Sequence, residues 1–321
     1  MPDQKTIVQG QPFVVNKNLG SAVPVTHEGL TRTNADGRSV VLPTQKQKYD
    51  FDRNGWLLIP GVLSENEIDQ MRAFCQRMVR EPQGIAEPER CGLGGPLQKL
   101  ADHPVVVGLL NEFLAFHHLA SEDCYGFRLE TSLLIHCSAR EKAHAQFKPR
   151  NGNGLFRPPW DSHYYRCIPG RAWSGLTRVV WELNPVAYNA GGTKFISGSH
   201  KAAYPAPDSI DDPDAPLWVT YECPAGSLII FTESITHSDA TWSNEQVERL
   251  AVSNAYNTVS NRWHSWLPHR DLLASMPPKR QTLFREPYVR RNVVDGAEYF
   301  YRQDSPYADG SATTEDALRP S

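Results

Sequence analysis

The sequence predicts a mainly β protein with flanking helices, folded as a sandwich or barrel, on three observations. Short runs with a period of two recur between residues 127 and 258. The two clearest helical patterns both come before those runs, so helices and strands do not alternate as they do around a parallel sheet. Proline, glycine and asparagine punctuate the runs at irregular and sometimes long intervals, as in closed all-β architectures.

In chain order, residues 1–48 are polar and weakly patterned and read as an arm lying on the body. Gly55-Trp56-Leu57-Leu58-Ile59-Pro60-Gly61 reads as a short buried strand bounded by Gly and Pro. Ser64-Glu65-Asn66-Glu67 has capping-box spacing. Ile68, Met71, Phe74, Cys75, Met78 and Val79 then recur at intervals of three and four, which predicts an amphipathic helix ending near Arg80. Residues 81–101 are rich in Pro and Gly and read as loop, and a second helix is expected over Pro104–Phe116, opened by its proline. In the run from Phe127 to Cys137 the apolar residues alternate with Arg128, Glu130, Ser132 and His136, which predicts a strand with one buried face. Further strands are expected at His163–Ile168, Leu176–Leu183, Thr193–Ser197, Trp218–Tyr221, Ser227–Glu233 and Leu250–Thr258. One domain over 49–291, followed by a tail at 292–321, accounts for the chain.

Composition narrows the function. With 33 Lys+Arg against 36 Asp+Glu the net charge is -3, which gives no electrostatic reason to expect nucleic acid as a partner. The longest apolar runs fall far short of the roughly 20 residues needed to span a bilayer, and no apolar signal segment follows Met1, so a cytoplasmic protein without a membrane partner is expected. The six cysteines include no Cys-x-x-Cys pair and read as free thiols. No G-x-G-x-x-G follows a strand and Gly92-Leu93-Gly94-Gly95 lacks the Lys-Ser/Thr of a phosphate loop, which disfavours nucleotide folds.

Of eleven histidines, His27, His103, His117, His118, His264 and His269 have no second candidate ligand at a telling spacing and read as structural. His237 differs. It follows the turn and β run Pro224–Glu233, and Arg249 comes twelve residues later at the start of the next run. Neighbouring antiparallel strands would bring imidazole and guanidinium into one cavity, where the guanidinium fork suits a planar carboxylate. The plainer alternative is a loop histidine and a salt-bridged arginine.

Three stretches, spanning roughly Phe51 to Arg291, resemble the phytanoyl-CoA dioxygenase family of iron(II)/2-oxoglutarate oxygenases. The first is Phe51–Trp56 with Ile59–Ser64; the second is Val179–Asn184 through Asn189–Thr193 to Ile196-Ser197-Gly198-Ser199-His200-Lys201; the third is Ala225–Phe231 with His237 and Arg249. The resemblance implies a double-stranded β-helix, a cupin-like jelly roll with its core at about 120–262, whose mouth holds iron by two histidines and a carboxylate. It further implies that His237 is the distal iron ligand, that Arg249 grips the far carboxylate of 2-oxoglutarate and that Trp181 lines the cosubstrate site. His200 matches a structural segment. The implied cofactors are Fe(II), 2-oxoglutarate as cosubstrate and O2, and the implied reaction is hydroxylation of an aliphatic C–H of a small-molecule substrate, with succinate and CO2 as products.

The sequence departs from the family at the proximal ligands, because it has no His-x-Asp or His-x-Glu. Asp161, in Trp160-Asp161-Ser162-His163-Tyr164-Tyr165, is the candidate carboxylate; His144 and His163 compete as the imidazole. In the order Asp-x-His both side chains would share one face of a strand. Two further readings stay open: a halogenase that lacks the carboxylate, with Gln146 in its place, and a non-catalytic jelly-roll binding protein. The substrate and the oligomeric state are not legible.

Overall fold

Strands come mostly where period-two runs were expected, and the sheet they build explains why some of their polar residues are buried. The structure, a computed structural model, describes residues 30–139, 147–150, 163–204 and 206–287, with the strands Asn292–Val294 and Ala297–Tyr299. His144, Gln146 and Asp161 lie outside the described residues. Among these, helices α1 (Gln45–Asn54), α2 (Glu65–Arg80) and α3 (Pro104–Phe113) surround β1 (Trp56–Ile59) and precede β2 (Phe127–Cys137). Then come β3 (Tyr165–Ile168), β4 (Arg171–Ser174), β5 (Thr177–Glu182), β6 (Gly192–Phe195), β7 (Ser227–Thr232), β8 (His237–Ala240) and β9 (Arg249–Thr258), with short helices α4 (Arg270–Ser275) and α5 (Pro278–Gln281) after them.

Five strands form one antiparallel sheet in the order β1-β7-β5-β9-β2, while β6 pairs with β8 and β3 with β4. The sheet is covered on both faces, and β5 shows how. Val179 and Trp181 join Phe51, Met71, Leu110 and Phe127 in the larger core on the helix side. Val180 points the other way, into the smaller core shared with Phe195 of β6 and with Ile229 and Phe231 of β7. Alternation along one strand thus feeds two apolar layers.

The capping box before α2 forms as its spacing predicts: Glu67 N–H meets Ser64 Oγ at 3.4 Å and Glu67 Oε2 accepts from Ser64 N–H at 2.9 Å. α1 was not expected, because its sequence is nearly all polar and only Phe51 is buried; a second capping box, Thr44 with Gln47, starts it. The expected strand at Trp218–Tyr221 is reduced to a single bridge, Phe195 to Val219.

β2 corrects the expectation of one buried face. Arg128, Glu130 and Ser132 are all buried, whereas Leu133 is 49% exposed. A register shift between Leu129 and Thr131 lies at Glu130. Its carboxylate accepts from Trp263 N–H, His264 N–H, His264 Nδ1 and Asn257 Nδ2, which ties the loop after β9 to the sheet. Arg128 satisfies the carbonyls of Asn261 and Arg285. Both charges are buried because each is hydrogen-bonded.

Early and late parts of the chain are joined by one guanidinium. Arg280 of α5 is buried and donates to Asp102 Oδ1 at 2.8 Å and to Asp36 Oδ2 at 2.7 Å, and Tyr125 Oη donates to the same Asp102. Gly108, inside α3, lets the Val41 backbone lie against the helix, since a Cβ there would come within 1.9 Å of the Val41 carbonyl oxygen. No helix among the described residues is long and apolar enough to cross a membrane.

Candidate metal centre

His237 opens β8, and its backbone is held on two sides: its residue pairs with Phe195 of β6, and its N–H and C=O bond to the C=O and N–H of Arg150. The ring is buried against Phe231, centroids 5.1 Å apart. Nδ1 lies 2.9 Å from the Ile235 carbonyl. A carbonyl only accepts, so Nδ1 carries the proton and Nε2 keeps its lone pair. That Nε2 is buried and has no hydrogen-bond partner among the described residues. Burial lowers the pKa of His237, against the pull of Glu233, and favours the neutral ring. An imidazole whose outer N–H is fixed by a backbone carbonyl and whose other nitrogen is buried and bare has the form of a metal ligand. The residue therefore fits the iron that the family resemblance implies.

The nearest charged neighbour is Glu233, at the end of β7. Its Oε2 accepts from Arg178 Nε at 2.6 Å, and its Oε1 lies 3.7 Å from His237 Nε2. Burial pushes this carboxyl up, but Arg178 and His237 hold it down to about 2. His163 is fastened to the same turn. It is buried, its carbonyl accepts from the Ser234 hydroxyl, its ring meets Trp263 edge to face at 4.3 Å, and its charge is felt at Glu233. His237, Glu233 and His163 thus gather around the turn between β7 and β8. Among the described residues no three His, Cys, Asp or Glu side chains stand close enough to hold a metal.

Arg249 is buried, but β8 and β9 are not the neighbouring strands expected: β8 pairs with β6, and β9 lies in the five-stranded sheet between β5 and β2. The two are related across the smaller core. Asp239 of β8 contributes to the electrostatic environment of Arg249, and Asp239 shares a strand face with His237, two residues away. The guanidinium is already engaged. Nη2 donates to Glu182 Oε1 at 2.6 Å, Nε to the same oxygen at 3.2 Å, and Tyr221 Oη donates to that carboxylate at 2.7 Å. Burial works against the Arg249 charge, but Glu182 more than offsets it and raises its pKa.

Trp181, expected at the cosubstrate site, is fully buried on the opposite face of β5 from Glu182. It sits in the helix-side core with its ring 5.1 Å from that of His103. Period-two alternation makes this necessary: if Glu182 faces Arg249, its neighbour faces away. Four of the histidines read as structural make structural contacts among the described residues. His200 bonds the Asp52 carbonyl and packs edge-on against Tyr165, His103 and His269 cap helices, and His264 bonds Glu130. Glu233 was missed. The signal in the sequence was an acidic residue closing the run Ser227–Thr232, every position of which is buried.

Comparison with known proteins identifies the family and the fold. Residues 51–250 match the family profile described as phytanoyl-CoA dioxygenase (PhyH). No curated protein matches the sequence. Among solved structures, HygX from Streptomyces hygroscopicus with iron bound aligns with a TM-score of 0.53 at 18% identity, covering 72% of this chain and 94% of that one. HygX with nickel and 2-oxoglutarate bound aligns with a TM-score of 0.53 at 19% identity, over 72% of this chain and 93% of that one. At such identity the likeness establishes the fold, a jelly-roll core with helices on one face. The family match extends over most of the described residues and takes in β1, the β5 and β6 segments, His237 and Arg249. The chain therefore belongs to the phytanoyl-CoA dioxygenase family and is a non-haem iron oxygenase that uses Fe(II), 2-oxoglutarate and O2.

Proposed function

We propose that the chain hydroxylates an aliphatic C–H of a small-molecule substrate, converting 2-oxoglutarate to succinate and CO2. The observation that carries the reading is His237, whose buried Nε2 lacks a hydrogen-bond partner among the described residues while its Nδ1–H is fixed on the Ile235 carbonyl. In this reading Nε2 of His237 holds iron, and His163 or the candidates outside the described residues, His144 and Asp161, complete the protein ligands. Bound iron supplies the site at which dioxygen is activated at the expense of the 2-oxo acid.

The chain's own part is to bind, orient and exclude water. The Ile235 carbonyl fixes the tautomer and the Arg150 backbone fixes the ring's origin. Phe231 and Phe195 wall the imidazole off from solvent, which strengthens every charge interaction in the cavity. Arg249 is the cation for the far carboxylate of 2-oxoglutarate. Its Nε and Nη2 face Glu182, so a cosubstrate carboxylate that leaves that pair intact meets Nη1. The six cysteines are free, in keeping with work in a reducing cytoplasm.

The test is anaerobic addition of Fe(II) and 2-oxoglutarate to the full chain. A visible metal-to-ligand charge-transfer band is expected, together with slow 2-oxoglutarate-dependent succinate formation once air is admitted. Both are lost in His237→Ala. A folded, iron-loaded protein that gives neither band nor succinate overturns the reading.

A further inference from the structure

The family's carboxylate ligand normally precedes the tryptophan strand, and this chain lacks the His-x-Asp that would supply it. The geometry points to Glu233 as that carboxylate: a metal ligand contributed from the turn between β7 and β8, four residues before His237, through Oε1. This rests on the iron site proposed above.

Three observations carry it. The first is the contact itself. Glu233 Oε1 and His237 Nε2 are 3.7 Å apart, too far for a hydrogen bond, which has a heavy-atom distance of about 2.7–3.2 Å. With Nδ1–H on the Ile235 carbonyl, the other ring nitrogen lies beside Oε1 with no hydrogen bond between them, as two donors that share one cation would lie. Donors at about 2.0–2.2 Å from one ion are at most roughly 4.2–4.4 Å apart. The observed separation of 3.7 Å lies within that limit.

The second observation is that the carboxylate is aimed by its surroundings. Oε2 is taken by Arg178 Nε at 2.6 Å, so Oε1 is the oxygen turned to the imidazole. A ligating carboxylate whose other oxygen is held by a hydrogen-bond donor is the usual outer-shell arrangement of metal sites. The third is that the turn is fastened at each step. Glu233 N–H bonds the Leu176 carbonyl at 2.8 Å, Ile235 N–H bonds the Thr232 carbonyl at 3.1 Å, and Thr236 N–H bonds Ser199 Oγ at 2.8 Å. The Ser234 hydroxyl bonds the His163 carbonyl, which brings His163 up to the same turn. Donors 233 and 237 are thus fixed relative to each other by backbone.

One consequence separates this chain from a halogenase. With Glu233 in the third protein position, no place is left for a halide, whatever residue stands at 146.

The test compares Glu233→Gln, Glu233→Ala and Asp161→Asn in the full chain. Fe(II) and Co(II) affinities are measured by anaerobic equilibrium dialysis, and the Co(II) d–d spectrum is recorded. Glu233→Gln is expected to weaken metal binding at least tenfold. In Glu233→Ala, adding chloride or formate should change the Co(II) spectrum, because a coordination position has been vacated; the unmodified chain should not respond. A purely structural carboxylate would not produce that anion response. Since Glu233→Gln leaves Arg178 without its counter-charge, Arg178→Met/Glu233→Gln removes the buried pair together, and it must show the same loss of metal. Wild-type metal affinity in Glu233→Gln, with loss confined to Asp161→Asn, overturns the assignment. Failure of the unmodified chain to bind one equivalent of iron instead overturns the iron site itself.

Discussion

Glu182→Ala isolates what the buried ion pair between Glu182 and Arg249 contributes. Both partners are buried, Glu182 fully and Arg249 to 3% exposure, and the substitution removes the acceptor of contacts at 2.6 and 3.2 Å from the guanidinium and 2.7 Å from the Tyr221 hydroxyl. An uncompensated buried charge costs about 3–5 kcal/mol, and the stranded tyrosine hydroxyl adds about 1 kcal/mol that overlaps with it. About 4 kcal/mol is expected in sum. At roughly 2 °C per kcal/mol for a chain of this size, Tm falls by about 8 °C. Scanning calorimetry, with circular dichroism to confirm the fold, measures it. The double variant Glu182→Leu/Arg249→Met removes both charges and should recover to within about 2 kcal/mol of the unmodified protein, while its 2-oxoglutarate charge-transfer band is lost. A shift of less than about 2 °C in Glu182→Ala, or a double variant no more stable than the single one, refutes the claim that charge compensation holds this site together.

Two further outcomes are expected. Gly55 ends α1 at φ 82°, and a Cβ there would lie 2.6 Å from His200 Nδ1, so Gly55→Ala combines left-handed strain with a clash against a buried ring and should destabilise by about 2–4 kcal/mol in urea titration; a loss below about 0.5 kcal/mol would be inconsistent with this packing. His103 and His200 are both held down to about 4, chiefly by burial; around them, Arg38 further lowers His103 and Glu67 raises it, while the Asp52 carbonyl raises His200 and Lys201 lowers it. The unfolded chain therefore takes up protons first. The stability these rings contribute is complete above about pH 6.5 and is lost as pH falls toward 4, by up to roughly 3 kcal/mol each, so Tm should drop between pH 7 and 4.5 and drop less in His200→Asn.

The parts of the molecule legible in its sequence are those governed by one local rule. The Ser64 capping box, the apolar spacing of α2 and the buried runs of β7 and β9 needed no tertiary information. α1 escaped because its single buried residue, Phe51, leaves no periodic stripe. β2 misled because Arg128 and Glu130 look like a solvent face until the loop at 261–264 is folded against them, a contact separated by more than 130 residues. His237 and Arg249 were expected on neighbouring strands, and their placement on different sheets was not legible. The buried ion pairs of Glu182 and Glu233 were invisible for the same reason: a buried carboxylate declares itself only through the arginine it meets, and Arg249 and Arg178 lie 67 and 55 residues away.

The position of Arg280 also bears on the order in which the polypeptide can mature. Its two acceptors, Asp102 and Asp36, are synthesised 178 and 244 residues ahead of it. Until α5 leaves the ribosome, Asp102 cannot enter the interior at its final depth without remaining as a lone charge or taking up a proton. Final closure of the body is thus a late event, and a truncated polypeptide ending before residue 280 would carry the defect permanently, with Asp102 drawing water into the space that Tyr125 and the guanidinium otherwise fill.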